Sequence, residues 1–182
     1  MEIKTYDIQG PLLLKPRIFT DERGYFFESY NEKLFKEAGV EADFVQDNQS
    51  LSAKGVLRGL HFQNPPFEQG KLVRVVQGAV RDVAVDIRKA SPTYGKYIIE
   101  DLSATNQYMM WIPPGFAHGF LTLENKTLFL YKCTNLYHKE SESGICWNDE
   151  TLNIDWRILN PLVSDKDKAL PSINQARILF EL

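Results

Sequence analysis

A chain of 182 residues, 43% hydrophobic and 25% charged, is long enough for one domain with a real core and has an ordinary globular balance. Its net charge of −3 gives no overall basic field for a nucleic-acid polymer, although a local basic cluster can still hold a small phosphate ligand. No stretch approaches the roughly 20 apolar residues of a membrane span, and the first ten residues, MEIKTYDIQG, lack the apolar run of a signal peptide, so a cytoplasmic location is expected. In chain order, residues 10–20 and 23–30 read as two early strands. Asn31 is placed to cap a helix over NEKLFKEAG, in which Leu34, Phe35 and Ala38 share a face and Gly39 is the stop. Residues 71–78 and 79–88 are two β-rich runs meeting at Gln77-Gly78, where positive φ at glycine allows a hairpin. Within 79–88, Arg81, Val83, Val85 and Ile87 fall on one face and Val80, Asp82, Ala84 and Asp86 on the other, the alternation of a sheet with two different sides. Residues 94–103, 107–114 and 127–135 are further strands, and 165–182, interrupted by Pro171, holds a short helix or turns.

Many short strands punctuated by glycine and proline imply a β-sandwich or barrel. No repeat, low-complexity tract or linker divides the chain, so residues 1–182 are expected to form a single domain. The two cysteines, Cys133 and Cys146, are expected to be buried free thiols.

Chemistry centres on three histidines. His138, in the polar stretch YHKESESG, is expected to face solvent. His61 lies in GVLRGLHFQ, and His118 in PPGFAHGF, read as a turn between two strand-like runs. Pro113-x-Gly115-x-x-His118 resembles the second motif of the cupins, which are small double-stranded β-barrels. Gly55 followed by His61 resembles the start of their first motif. Metal-binding cupins carry a His-x-His pair there, but this chain reads His61-Phe62-Gln63. Lys71 follows, and its charge opposes a second cation. Even with Glu68 as a further ligand, the donor set falls short of the three or so good protein ligands of an open catalytic site. No metal is expected.

The resemblance then narrows. DERGYFFESY, QDNQS, VLRGLHFQ, GKLVRVVQGAVRDVAVDIR, SPTYGKY, IPPGFAHGF, YKCTN, SGICWND and SDKD, in this order over residues 17–168, resemble the dTDP-4-dehydrorhamnose 3,5-epimerases. That resemblance implies a mainly β, cupin-like jelly roll with few short helices, a homodimer, a dTDP-linked sugar substrate, and no cofactor.

Epimerisation beside a ketone needs a base, a donor for the enolate oxygen and an acid on the opposite face of the ring. The resemblance places the base at His61 and its carboxylate partner at Asp167. Asp165 is a near neighbour, but the family motif ends Lys-Asp and selects Asp167. Lys71 matches the enolate stabiliser and Tyr131 the general acid. A phenol titrates near about 10 and an imidazole near about 6.5, so at neutral pH the first can donate and the second can accept. Read without the resemblance, Lys71 is a solvated edge lysine, Tyr131 a sheet aromatic and Asp167 a charge in a polar turn. Substrate contacts match Arg23, Glu28, Gln46, Asn48, Arg58, His118, Glu142 and Lys166, with arginine suited to bidentate bonds to a diphosphate. Phe19, Phe26 and Tyr137 are candidates for packing on the base or sugar, although plain core packing is favoured for Phe19.

Arg58 and His61, three apart, would point to opposite faces of a regular strand. Either a bulge at Gly59 resets the register or Arg58 reaches in from a rim. The competing readings are a single-centre epimerase of a related nucleotide 4-keto sugar, a metal-dependent cupin enzyme and a non-catalytic sugar-binding jelly roll.

Overall fold

The computed structural model describes residues 1–181. Along the chain run β1 (Glu2–Lys4), β2 (Leu12–Lys15), β3 (Phe19–Asp21), β4 (Gly24–Phe26), α1 (Glu32–Glu37), β5 (Gln46–Ser52), β6 (Leu57–Gln63) and β7 (Lys71–Gln77). They are followed by β8 (Ala79–Asp86), β9 (Tyr97–Ser103), β10 (Met109–Ile112), β11 (Phe116–Thr122), β12 (Thr127–Cys133), β13 (Glu142–Gly144) and α2 (Asp165–Lys168). The first sheet has the order β1-β2-β10-β7-β12-β5 and the second β13-β6-β11-β8-β9, while β3 and β4 pair only with each other. This is the mainly β, cupin-like jelly roll.

The hairpin expected at Gln77-Gly78 does not form. β7 pairs with β10 and β12, and β8 with β9 and β11, so the turn carries the chain from one sheet to the other. Gly78, at φ +79°, allows that crossing, and a Cβ there would lie 2.4 Å from Thr127 Oγ1. Two β-rich runs joined by a glycine look alike whether they pair or part. The partner is decided by where each strand buries its faces.

The main core lies between the sheets and draws on both: Val73, Val75, Met110, Ile112 and Phe129 from the first, Val80, Ala84, Ile98, Phe116 and Phe120 from the second. The back of the second sheet (Leu57, Leu60, Phe62, Val83, Val85, Ile87) is covered by the C-terminal segment through Ile145, Trp156, Ile173 and Ile178. The back of the first is covered in part by α1, whose Phe35 packs with Leu14, Leu72, Met109 and Trp111. The alternation read in 79–88 is therefore real, but both faces are buried.

Asn31 caps α1, its side chain accepting from Leu34 N–H, and Gly39 follows at φ +94°. Several strands escape the sequence pattern. β5, QDNQSLS, is almost wholly polar, and its Gln46 and Asn48 line a pocket. His118 lies not in a turn but midway along β11, paired with Ala84 on one side and His61 on the other. Phe19 is 50% exposed rather than a core residue, since β3 and β4 project as a hairpin with Tyr25 and Phe26 at 60% and 67% exposure. Cys133 is buried, but Cys146 is only partly so; both are free. His138 is half-buried, its ring stacked 3.8 Å from that of Phe67.

Candidate active site

A pocket of about 380 Å³ opens between the sheets, lined by Gln46 and Asn48 of β5, Lys71 of β7 and Tyr131 of β12 on one wall, and His61 and Gln63 of β6 and Glu142 of β13 on the other. Gln69 and Tyr137 complete its rim.

His61 owes its orientation to a bulge. Its register partner on β11 is His118, and that of Arg58 is Phe120, so Gly59 and Leu60 together oppose Gly119 alone. The extra residue returns Arg58 to the face of His61, and Leu60 and Phe62 turn outward into the second core. Glycine is required on both strands. A Cβ on Gly59 (φ +114°) would meet Gly119 Cα at 2.6 Å, and one on Gly119 would meet the Arg58 carbonyl oxygen at 2.8 Å.

Asp167, in the first turn of α2, lies 2.8 Å from His61 Nε2. A carboxylate accepts, so Nε2 carries the proton and Nδ1 keeps its lone pair. Asp167 is 4% exposed and also accepts from the Gly59 N–H. Burial alone would raise its pKa, but the bonds from His61, Gly59 and Ser164 hold it below the usual carboxylate range. It is not a solvated turn residue.

Lys71 stands on a central strand rather than an edge, and burial pushes its amine below the ordinary lysine range while Cys133, Asp82 and Glu142 pull it back up. Burial likewise raises the Tyr131 phenol, which stays protonated and able to donate; nearby Arg58 partly offsets the shift. Arg58 itself is steadied by Ser52 Oγ, 3.3 Å from Nε and 3.2 Å from Nη2.

At the rim, Glu142 accepts from Lys166 Nζ at 2.7 Å and from the Tyr137 hydroxyl at 2.9 Å. Burial opposes its charge, yet these two bonds keep its carboxyl below the usual range. Gln46 Oε1 accepts the Tyr137 N–H, and Gln46 Nε2 donates to Asn48 Oδ1. Gln63, standing where a metal cupin has its second histidine, is wholly occupied. Its amide donates to the carbonyls of Phe67 and Leu136 and accepts from His138 N–H, tying two loops together. Among the described residues, no three His, Cys, Asp or Glu side chains converge as a metal site requires.

His118, beside His61 across the β6–β11 register, is buried, with Nε2 2.8 Å from Asp82 Oδ2. Burial pushes its pKa down, while the Asp82 carboxylate pulls the other way. Asp82 was missed as a functional candidate, although an acid on the face of Val80 and Ala84 was the available signal. Arg23 and Glu28 do not join the pocket. Arg23 lies on the β3–β4 hairpin, paired with Asp21, and Glu28 accepts from Asn31 Nδ2.

The chain matches the family model described as dTDP-4-dehydrorhamnose 3,5-epimerase over residues 5–175. It is 57% identical over 166 residues to the dTDP-4-dehydrorhamnose 3,5-epimerase of Shigella flexneri, covering 91% of each chain. Among solved structures, it superposes with TM-score 0.91 and 47% identity on a dTDP-6-deoxy-D-glucose-3,5-epimerase from Legionella pneumophila Philadelphia 1 in complex with dTDP-4-keto-L-rhamnose. That match covers 96% of this chain and 93% of the other. A dTDP-4-dehydrorhamnose 3,5-epimerase from Bacillus anthracis str. Ames with TDP and PPi bound gives TM-score 0.92 at 46% identity, covering 94% and 98%.

Proposed function

The chain belongs to the dTDP-4-dehydrorhamnose 3,5-epimerase family, and from that premise we propose how its pocket does the work. It is an isomerase that inverts C3 and C5 of dTDP-4-keto-6-deoxy-D-glucose to give dTDP-4-keto-L-rhamnose, in dTDP-L-rhamnose biosynthesis. The observation that carries the reading is the placement of a carboxylate-backed histidine and a protonated tyrosine on the two walls of one pocket, with the half-buried Lys71 beside them.

His61 takes the proton beside the ketone, and Asp167 stabilises the imidazolium that forms. Lys71 stabilises the enolate oxygen, and its amine acts in a low-dielectric site where such a contact counts for more than in water. Tyr131 returns a proton from the other wall. Both carbons flank the same carbonyl, so one set of groups serves two inversions, with His61 giving its proton to solvent and Tyr131 regaining one from solvent between them. No metal or redox cofactor enters these steps. Arg58, Gln46, Asn48, His118, Glu142 and Lys166 hold the sugar and diphosphate, and Tyr137 packs on the base.

The protein acts as a homodimer. Support comes from the β3–β4 hairpin, which leaves Phe19, Tyr25 and Phe26 exposed and carries Arg23 away from its own pocket. Seating that hairpin on a second copy covers the aromatics and brings Arg23 and Glu28 to the partner's substrate. The working location is the cytoplasm, where nucleotide sugars are made.

Incubation with dTDP-4-keto-6-deoxy-D-glucose in deuterated water tests the reaction. Two deuterons per product, at C3 and C5, are expected. One deuteron identifies a single-centre epimerase, and none removes the enzymatic reading.

A further inference from the structure

Gln63 ends β6, two residues beyond His61, and is only 4% exposed. Its amide is given over to backbone groups. Nε2 donates to the Phe67 carbonyl at 2.6 Å and to the Leu136 carbonyl at 3.2 Å, and Oε1 accepts the His138 N–H at 2.8 Å. Two carbonyls on one side and an N–H on the other admit a single orientation of the amide, and both of its donor hydrogens are used.

Leu136 and His138 are the chain neighbours of Tyr137, so Gln63 fixes the peptide on either side of that residue. Gln46 Oε1 takes the Tyr137 N–H itself at 3.0 Å. Further along, Asn64 N–H donates to the Ser141 carbonyl at 2.8 Å and Gln69 Nε2 to the Asn135 carbonyl at 2.7 Å, and the Phe67 ring stacks on that of His138. The segment between β12 and β13 is thus fastened to the one between β6 and β7 on both sides of Tyr137. Tyr137 is nevertheless 55% exposed at the pocket rim, with its hydroxyl donating to Glu142. A buried amide therefore fixes the backbone beneath an exposed aromatic ring.

We propose that Gln63 is a positioning residue for the nucleotide: by bracketing Tyr137 between the donor and acceptor sides of its amide, it holds that ring in place at the rim before substrate arrives. An aromatic fixed in advance loses less freedom on binding than one on a loose loop, so the gain falls on affinity rather than on the chemical step. The same bonds give a physical reason for glutamine where a metal cupin has its second histidine. An imidazole, with two ring nitrogens, cannot make all three at once. The proposal rests on Tyr137 packing on the base.

Gln63→Met keeps the length and bulk of the side chain and removes all three bonds. It is expected to raise KM, and the Kd for dTDP alone, about tenfold, with kcat within about twofold of wild type. In a Tyr137→Ala background the same substitution is expected to add less than about twofold to either, because the two residues act as one unit. Unchanged KM and Kd overturn the proposal and leave Gln63 a packing group, whatever happens to Tm. A loss of kcat as large as the rise in KM also overturns it, since Gln63 would then act through β6 and His61. Losses that multiply fully in the double variant do the same. If Tyr137→Ala itself leaves KM and dTDP affinity unchanged, the reading of Tyr137 fails first, and the proposal with it. If Gln63→Met does not fold, amide hydrogen exchange of the wild type decides. Protection of the Tyr137 and His138 amides in the free enzyme is the expected result, and protection that appears only with dTDP overturns the proposal.

Discussion

In the proposed mechanism His61 takes up a proton inside the pocket, and the Asp167 carboxylate at 2.8 Å stabilises the cation that forms. Tyr131 has the reverse task, and burial that raises its pKa keeps a proton available for delivery. These opposite roles separate in mutants. His61→Ala is expected to lose about 10²–10⁴-fold in both exchange and inversion, the usual worth of a general base. Tyr131→Phe keeps the base, so deuterium should still enter the starting sugar while inversion falls by a similar factor. Mass spectrometry for label and NMR for configuration check the pair. Equal loss of both signals in Tyr131→Phe would count against its role as the acid. Lys71, Asp167 and Tyr131 each have a plain structural reading in the sequence, because one residue's neighbours in the chain say nothing of what faces it across a barrel.

The element that sets the chemistry is the bulge of β6 against β11. Without it, Arg58 and His61 would occupy opposite sides of the strand, and the arginine would be driven into the C-terminal core. Glycine at 59 and 119 lets the two backbones approach closely, with Gly59 also in a left-handed conformation. Gly59→Ala is therefore expected to cost about 2–4 kcal/mol through strain and clash, lowering Tm by roughly 5–10 °C. It should also misalign His61, so kcat falls more than folding stability alone explains. Calorimetry beside kinetics checks this, and an unchanged Tm would refute the packing argument. The two glycines beside histidines, in RGLHF and AHGF, are visible in the sequence, and a bulge at Gly59 is one of two readings they allow. The register that selects it needs both strands.

At the scale of the whole molecule, the β3–β4 hairpin is an exposed aromatic surface with Phe26 67% exposed. If the proposed dimer forms through this hairpin, Phe26→Asp is expected to give a monomer by sedimentation and to raise KM at least about tenfold, because the dimer is what brings Arg23 and Glu28 to the partner's substrate. A dimer with unchanged KM would break that link. What the amino-acid sequence determined, through its resemblance to a known family, was the reaction and the class of fold. Nine motifs in a set order, a lone His61 beside Gln63 and the short β-rich runs all pointed to a jelly-roll epimerase, since residue types and their spacing are local properties. What only the tertiary structure decided was partnership. It showed that β7 and β8 part to opposite sheets, that polar β5 is a strand, that His118 is buried on Asp82, and that Arg23 lies outside its own pocket. Each depends on which surfaces are brought together far along the chain, and burial is a property of that assembly rather than of any segment.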